Sequence, residues 1–365
     1  MSNARQLAAN LPREGGLSNR NLLINSAMQV AQRGTSSSSA GYQTVDRFRF
    51  TSSDMDQLAF TQSQDTTGPS GFTNSYKITV TTPETTTEAE EQLYMFQTIE
   101  AQNLQQLGYG TSDAKQLTLS FWVKSSVTGA YCVAFYQNDG NRLITSTYSI
   151  SSANTWEYKT ITIDGDTSGT INNDNGAGLE LYFFLSVGPD RKTTDSTSWG
   201  TWTAAKFGYG QVADVAATSS ATWQITGVQL EVGDTATPFE HRSYSDQLQA
   251  CQRYFLRYNY SNNLSDAASH NTLPVIAGYT GSVAYGGMKL PVTMRTSPSF
   301  SASAASTWIY YANGGSHTAT EMTAYETGPS IWGMKYATSG NWGAGTALYG
   351  RPTGTSSYYQ FDAEL

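Results

Sequence analysis

Charged side chains are scarce in this chain. Lys, Arg, Asp and Glu make up 14% of its 365 residues, and 29 acidic against 21 basic side chains leave a formal net charge of -8. A nucleic-acid-binding domain ordinarily carries a basic patch or stripe and a high isoelectric point. The composition therefore argues against nucleic acid as a partner.

Cysteine is almost absent, with only Cys132 and Cys251 in the chain. Two cysteines cannot form the framework of several disulfides that staples small secreted domains. Because Cys132 lies in the apolar run YCVAFY, we expect it to be a buried free thiol.

Long apolar runs are also missing. No segment approaches the roughly 18 apolar residues of a membrane span, and the first residues lack the apolar core of a signal peptide. We therefore expect no membrane insertion. We expect synthesis in a reducing cytosol, with any release following from cell lysis.

Residues suited to metal binding or nucleophilic catalysis are few. His241, His270 and His317 show neither metal-ligand spacing nor a neighbouring Ser or Cys in a nucleophile turn. The segment DGDTSG at 164–169 imitates the start of a calcium loop, but its twelfth position is Asn175, where such a loop needs a bidentate glutamate. We interpret it as a hairpin turn and predict no metal site and no cofactor.

Glycine, tyrosine, serine and threonine are abundant by contrast, which is typical of an all-β protein with hydroxyl-coated sheets. Short runs rich in β-branched and aromatic residues, such as GAYCVAFYQN and GLELYFFLSV, are separated by clusters of Gly, Asn, Asp and Ser. In LTLSFWV, alternation predicts one buried face, formed by Leu117, Leu119, Phe121 and Val123. About eight to ten such strands predict a two-sheet sandwich or jelly roll over residues 20–240.

The last strand of that sandwich, WQITGVQLEVG, is followed by the most helical segment of the chain. Pro238 holds TATPFEHRS extended, after which Ser243 or Ser245 can cap a helix with Asp246 in its first turn. A stripe recurs every three to four residues, at Tyr244, Leu248, Cys251, Phe255 and Tyr258. We interpret residues 241–260 as a connecting helix that packs on the chain's own sheet. The seven-residue repeat leaves a coiled seam between identical chains as an alternative.

Residues 261–365 again read as β-rich. Residues 241–365 hold 13 of the 23 tyrosines and nearly balanced charges, whereas residues 1–240 carry the acidic excess. This uneven distribution predicts two separate domains. The second is a smaller β domain that forms the tip of the molecule.

The first 19 residues are predicted to be separate from the sandwich. An apolar stripe at i, i+3, i+4 and i+7 precedes Pro12 and consists of Ala4, Leu7, Ala8 and Leu11. A helix this short is marginal in water and needs a surface to lie against. The segment is either a frayed terminus or an anchoring peptide that docks into a larger assembly.

Several long motifs resemble those of tailed-bacteriophage virion fibre proteins. The segment QLEVGDTATPFEHRSYSDQLQACQRYF resembles one that recurs in these proteins, and NLLINSAMQVAQRG followed by YQTVDRFRF resembles the opening strand pair of their modules. WEYKTITIDGDTSG with NNDNGAGLELYFFL resembles their central strands, and MKLPVTMRTSPSF with FDAEL resembles the C-terminal module of many phage tail fibres. The first module of that family is similar to carbohydrate-binding jelly rolls.

This resemblance implies a virion structural protein made in the host cytoplasm. Residues 1–19 would be its virion-attachment peptide, and the chain would be a homo-oligomer, expected to be a trimer, in contact with proteins of the tail, collar or capsid. We predict a tail fibre that binds a host-surface receptor or glycan through its C-terminal domain, without enzymatic activity. The alternatives are a head fibre or capsid decoration protein, and a glycan-degrading tailspike.

Aromatic residues of the last domain are the candidate receptor site. Such rings can lie flat on the apolar faces of sugars while neighbouring Asn, Ser and Thr bond the hydroxyls. The alternative is that they form the core or the subunit interface of a small domain poor in Leu and Ile. The candidates are Trp308, Tyr310, Tyr311, Tyr325, Trp332, Tyr336 and Trp342.

Overall fold

A computed structural model describes most of the chain: residues 19–259, 276–312, 315–352 and 357–365, without the side chain of Arg351. The predicted attachment residues lie outside these ranges, as does His270; they are Ala4, Leu7, Ala8 and Leu11. The chain divides into two units. The first unit ends at Gln247 and includes Leu365, and the second runs from Leu248 to Glu364.

The first unit consists of two six-stranded antiparallel sheets around one core. Its strands are β1 (Ser36–Ser37), β2 (Arg49–Ser53), β3 (Ala59–Asp65), β4 (Ser75–Thr82), β5 (Gln92–Glu100), β6 (Leu117–Ser125), β7 (Gly129–Gln137), β8 (Arg142–Ile150), β9 (Glu157–Ile163), β10 (Ala177–Val187), β11 (Gly200–Thr201) and β12 (Thr222–Val232). One sheet has the order β1-β3-β4-β12-β6-β9, and the other has the order β11-β8-β7-β10-β5-β2. Within this described part, ten strands have five or more residues, and β1 and β11 are two-residue edge strands.

The residues that alternation in the sequence predicts to be buried do form the core of the first unit. The four predicted inward residues of β6 are fully buried: Leu117, Leu119, Phe121 and Val123. They share one hydrophobic cluster with inward residues of the opposite sheet, such as Phe135 and Phe183. Burying a side chain of this size contributes about 1.5–3 kcal/mol, so this inter-sheet layer stabilises the unit. The all-β jelly-roll sandwich is confirmed.

A single α-helix among the described residues, α1 (Tyr244–Gln252), follows the sandwich. The hydroxyl of Ser243 accepts a hydrogen bond from the Asp246 backbone N–H at 3.1 Å, so Ser243 is the cap. Within the described residues, no helix is long and apolar enough to cross a membrane.

The predicted helical stripe is wrong beyond Cys251. Phe255 and Tyr258 belong to strand β13 (Phe255–Asn259), which pairs in antiparallel fashion with β21 (Tyr358–Asp362). The segment FLRYN is rich in aromatic residues that suit a strand, and a partner about 100 residues away supplies the ladder hydrogen bonds. Long-range pairing therefore overrides the local helical period.

The second unit is the predicted smaller β domain. It contains β13 and β21, already given, with β14 (Ile276–Gly278), β15 (Val283–Lys289), β16 (Ser299–Ala302), β17 (Trp308–Ala312), β18 (Gly315–Thr327), β19 (Ile331–Thr338) and β20 (Ala347–Pro352). Strands β13-β21-β16 form a three-stranded sheet, and β14-β15-β19-β18-β17-β20 form a closed barrel.

Candidate functional site

The sheet β11-β8-β7-β10-β5-β2 has one face on the core and a second face lined by aromatic side chains. Directly opposed residues of an antiparallel pair lie on the same side of the sheet. Tyr182 of β10 is paired with Phe96 of β5, and in the next row Glu180 lies between Thr98 and Tyr136. We call this second surface the aromatic face. Its rings, including two from the segment that covers part of it, are Tyr94, Phe96, Tyr136, Tyr182, Phe184, Trp202 and Phe207.

Rings of the aromatic face pack on one another. Phe96 and Tyr182 stack with their centroids 4.8 Å apart, and Phe207 meets Tyr182 edge-on at 4.8 Å. The half-buried rings Tyr136 and Trp202 lie 6.2 Å apart. The buried rings thus form a fixed base, and the half-buried ones offer ring surface to a ligand.

A carboxylate lies among these rings. The hydroxyl of Tyr182 donates a hydrogen bond to Oε2 of Glu180, and the hydroxyl of Thr98 donates one to Oε1 at 3.4 Å. Burial raises the pKa of the Glu180 carboxyl, and these hydrogen bonds and the charge of Arg49 counteract part of that effect. Burial and the nearby Glu180 charge also raise the pKa of Tyr182, which keeps its phenol protonated as a donor.

Arg49 supplies a positive charge beside the carboxylate. It is exposed and lies opposite Phe96 in the β2–β5 pair. Its guanidinium carbon is 5.7 Å from the centroid of the Phe96 ring and 6.0 Å from that of Tyr42. A guanidinium over a ring is held by the cation–π interaction and still has several N–H donors to offer.

Together these groups match the chemistry of a neutral polyhydroxylated ligand. Half-buried rings contact the apolar C–H faces of a sugar ring, and a partly buried carboxylate accepts hydrogen bonds from its hydroxyls. Arg49 can donate to hydroxyl oxygens from the edge of the face. The aromatic face is therefore a candidate saccharide-binding surface.

Five of the seven aromatic candidates in the second unit lie in its core and so offer no ring surface to a ligand. Their side chains are at most 2% exposed; they are Trp308, Tyr310, Trp332, Tyr336 and Trp342. For the four that lie on β17 and β19 the physical reason is alternation in a small closed barrel, whereas Trp342 lies between β19 and β20. In β17 and β19 every second residue is buried, and these inward positions carry mainly aromatic side chains because the unit has few Leu and Ile.

The other two candidates have different surroundings. Tyr311 is half-buried and stacks on Tyr349, with the ring centroids 5.3 Å apart. Tyr325 is 59% exposed. Tyr325 and the buried Trp332 line one groove of the barrel, so the structure brings together two of the seven predicted residues there.

Other features singled out in the sequence are structural. Asp166 of the DGDTSG turn forms an ion pair with Arg142 at 2.5 Å, and its other oxygen accepts the Ser168 backbone N–H. Cys132 is a buried free thiol, as predicted, and burial raises the pKa of its thiol. His241 packs against aromatic rings 4.9 and 5.3 Å away. In the part of the chain that the structure describes, no group of three or more His, Cys, Asp or Glu side chains could hold a metal ion.

Reasoning from the sequence missed Glu180 and Tyr182 as a site. The strand GLELYFFLSV was recognised, and one signal in it was available. A glutamate inside an apolar run, on the opposite parity to Leu181 and Phe183, marks a second face that is not core. The covering segment, which brings Trp202 and Phe207 to that face, gives no comparable local signal.

Comparison with solved structures finds several chains that resemble this one at low sequence identity. The chain is similar to the enzymatically active domain of tailspike protein 4 of bacteriophage CBA120, with 14% identity and a TM-score of 0.32; the match covers 58% of this chain and 21% of that one. It is also similar to a family 11 carbohydrate-binding module of a cellulosomal cellulase from Clostridium thermocellum, with 13% identity, a TM-score of 0.28, and coverage of 57% and 98%.

A third similar structure is the xylan-binding domain from Paenibacillus barcinonensis, with 11% identity, a TM-score of 0.24, and coverage of 57% of this chain and 99% of that one. No protein-family model matches the chain. A search of curated proteins gives no match either.

Proposed function

We propose that this chain is a glycan-binding fibre protein of a phage virion and that its aromatic face is a saccharide site. The observation that carries the glycan-binding part is the Glu180 carboxylate, partly buried among rings and hydrogen-bonded by Tyr182 and Thr98. Burying a carboxylate is costly, and the inter-sheet core does not need it. A binding role accounts for the group.

In this proposal each group has a distinct part. Tyr136 and Trp202 contact the apolar face of a sugar ring, and Glu180 accepts hydrogen bonds from its hydroxyls. Tyr182 is a positioning residue, because its hydroxyl holds one carboxylate oxygen. Arg49 donates from the exposed edge. Glu180 acts here as a hydrogen-bond acceptor, and we propose binding without cleavage.

The virion part of the proposal is supported by the fibre-like motifs of the sequence. The chain is made in the host cytoplasm, attaches to the tail, collar or capsid through residues 1–19, and forms a trimer. A trimer presents three copies of each weak site, and multivalency then raises the overall affinity for a cell surface. In the tail-fibre form, the C-terminal domain also contacts the receptor. Sedimentation giving a mass near 39.6 kDa at micromolar concentration would rule out the trimer.

Binding of the full-length chain to an array of neutral oligosaccharides tests the saccharide site. We expect the double variant Tyr136→Ala, Trp202→Ala to lose the glycans that the unchanged chain binds. Tyr158→Ala is the matched control, since Tyr158 is exposed on β9 of the opposite sheet. Equal binding by all three proteins would refute the site, and release of reducing sugar from host envelope would refute binding without cleavage.

Locating the chain in the intact virion by cryo-electron microscopy tests its role. Density on the tail or collar, with the second unit outward, supports a receptor-binding fibre. Density on the capsid lattice instead identifies a head fibre or decoration protein and contradicts the tail-fibre assignment.

A further inference from the structure

A single exposed residue is hydrogen-bonded to both half-buried aromatic residues of the aromatic face. Asn141 ends the four-residue turn between β7 and β8, which the pair Gln137–Arg142 closes. Its backbone is left-handed, with a φ of 48°, a conformation that asparagine adopts more readily than most residues. Because Asn141 is exposed, its side chain has no part in the core.

Two hydrogen bonds join Asn141 to Tyr136 and Trp202. Its side-chain Oδ1 accepts a hydrogen bond from the Tyr136 hydroxyl at 3.1 Å, and its backbone oxygen accepts one from the Trp202 backbone N–H at 3.0 Å. The two rings lie 6.2 Å apart. Asn141 therefore connects the two residues whose rings contact the sugar in the proposed site.

The first of these bonds also uses the one proton of the Tyr136 hydroxyl. Thr98, Glu180 and Tyr136 form a row of directly opposed residues, so their side chains lie on the same side of the sheet. The hydroxyls of Thr98 and Tyr182 donate to the Glu180 carboxylate, and that of Tyr136 donates to Asn141. Since a hydroxyl has one proton, none of these three has a donor left for a ligand.

The centre of the aromatic face therefore presents acceptors to a ligand. An ionised carboxylate accepts without donating, and a phenol oxygen whose proton is already donated keeps its lone pairs. The Asn138 amide nitrogen beside Glu180 is buried, while the donors of Arg49 and Asn141 lie on the edge strand β2 and in the turn. A ligand group over Glu180 and Tyr136 must supply the proton itself, which a free hydroxyl can do and a methyl ether cannot.

We propose that the aromatic face selects saccharides with unsubstituted hydroxyls, and that Asn141 is the positioning residue that imposes this selection. It fixes the Tyr136 ring beside Trp202 and keeps the Tyr136 hydroxyl as an acceptor. A sugar hydroxyl over this ring donates to Glu180 or to the Tyr136 oxygen, whereas O-methylation or O-acylation removes that proton. This inference rests on the proposed function, because it concerns the ligand of the same face.

Calorimetric titration of the full-length chain with cellotriose, galactotriose and their O-methylated forms tests the selection. We expect the unchanged chain to bind a free trisaccharide about tenfold or more tightly than its methyl ether, as for loss of one hydrogen bond to a charged group. Asn141→Gly keeps the left-handed backbone and the carbonyl that bonds Trp202, but it removes Oδ1 and so frees the Tyr136 hydroxyl to donate. We expect this variant to narrow the affinity ratio about threefold, as for a gained neutral hydrogen bond.

Two further variants separate this role from a structural one. Asn141→Asp keeps an acceptor oxygen for the Tyr136 hydroxyl and should preserve the affinity ratio. Asn154→Gly is the matched control, since Asn154 is also an exposed asparagine with a left-handed backbone, at a φ of 57°, and lies between β8 and β9. It should leave both the affinity and the ratio unchanged.

Fluorine NMR of the chain labelled with 5-fluorotryptophan follows the ring pair without a ligand, with the Trp202 resonance assigned from Trp202→Phe. We expect Asn141→Gly to shift that resonance, because the neighbouring Tyr136 ring loses its hydrogen bond, and Asn154→Gly to leave it in place. An unshifted Trp202 resonance in Asn141→Gly would overturn the positioning role.

The binding outcomes distinguish this inference from the proposed function. A trisaccharide that binds with equal affinity ratios to the unchanged chain and to a folded Asn141→Gly refutes the selection and leaves the saccharide site intact. An equal change in Asn154→Gly also refutes it, by assigning the effect to turns in general. If the unchanged chain binds neither trisaccharide, the saccharide site fails and the selection fails with it.

Discussion

Tyr182 donates a hydrogen bond from its hydroxyl to the carboxylate of Glu180, two residues earlier on the same strand. Both side chains lie on the outward side of the sheet, while Leu181 between them is buried in the core. The pair therefore shares a face because of the two-residue period of a β-strand. This pair couples a titratable carboxyl group to the aromatic face. The pH dependence of saccharide binding therefore tests the site.

Tyr182→Phe should raise the pKa of Glu180 further. The Tyr182 hydrogen bond favours the charged carboxylate, and the variant removes it while keeping the ring stack on Phe96. Carbon-detected NMR titration of the glutamate carboxyl groups measures the change. Saccharide binding by the aromatic face should then fail at a higher pH on acidification than in the unchanged chain. A Glu180 pKa equal to or below that of the unchanged chain contradicts the coupling.

Glu180→Gln should stabilise the protein above neutral pH and weaken saccharide binding. The folded-state pKa of Glu180 is raised, so the folded chain takes up its proton at a higher pH than the unfolded chain. The contribution of this group to stability is therefore lost as pH rises from the unfolded pKa through the folded one. Glutamine keeps the acceptor oxygen without the charge.

Urea unfolding at pH 4 and pH 8 checks the effect of Glu180→Gln. The variant should gain stability over the unchanged chain at pH 8 and differ little at pH 4. Binding should weaken about fivefold, because a neutral acceptor bonds hydroxyls less strongly than a carboxylate does. Lower stability at pH 8 would show that the charge stabilises the fold.

Gly333→Ala should destabilise the second unit by about 1–3 kcal/mol, as overpacking does. The added Cβ atom would meet the backbone of Glu326 at 2.9 Å, which a flexible side chain cannot relieve. Gly287→Ala is the matched control, since its nearest contact would be an ordinary 3.5 Å to the Trp332 backbone oxygen. Thermal unfolding by calorimetry compares the two variants. An equal effect of both substitutions contradicts a requirement for glycine where the Glu326 backbone approaches position 333.

Ser243→Ala should cost about 1 kcal/mol through loss of the cap of α1. Its hydroxyl accepts the Asp246 N–H at 3.1 Å, which alanine cannot do. Ser38→Ala serves as the control, because Ser38 is exposed in a loop. Denaturant unfolding of the full-length chain measures the difference. A loss equal to that of the control would show that the cap contributes nothing.

Local pattern was sufficient for several elements. The alternation of LTLSFWV predicted which side of β6 is buried, because one face of a strand meets the core whatever lies around it. The buried thiol of Cys132 follows from neighbouring residues in the same way, as does a cap at Ser243 or Ser245, of which the structure selects Ser243. These features depend on a few consecutive residues.

Distant partners decide where α1 ends and which candidate aromatic residues of the second unit are buried. Phe255 does not continue the helix because β21, about 100 residues later, pairs with it through backbone hydrogen bonds. Trp308 and Trp332 turn inward because the barrel closes around them, while Tyr325 is exposed where the register of the β18–β19 pair shifts. Alternation within a strand does not predict which of its two faces will lie inside the closed barrel.

By itself, the sequence determined an all-β chain, a sandwich, a capped helix and a second β domain. Alternation, turn residues and capping act over a few positions, and these are read directly from the residue order. Only the tertiary structure decided that Glu180 lies among the rings of the aromatic face, and that Tyr325 is exposed while Trp332 is buried. Sites of this kind join residues from separate strands, and their proximity is set by sheet pairing and burial of the core.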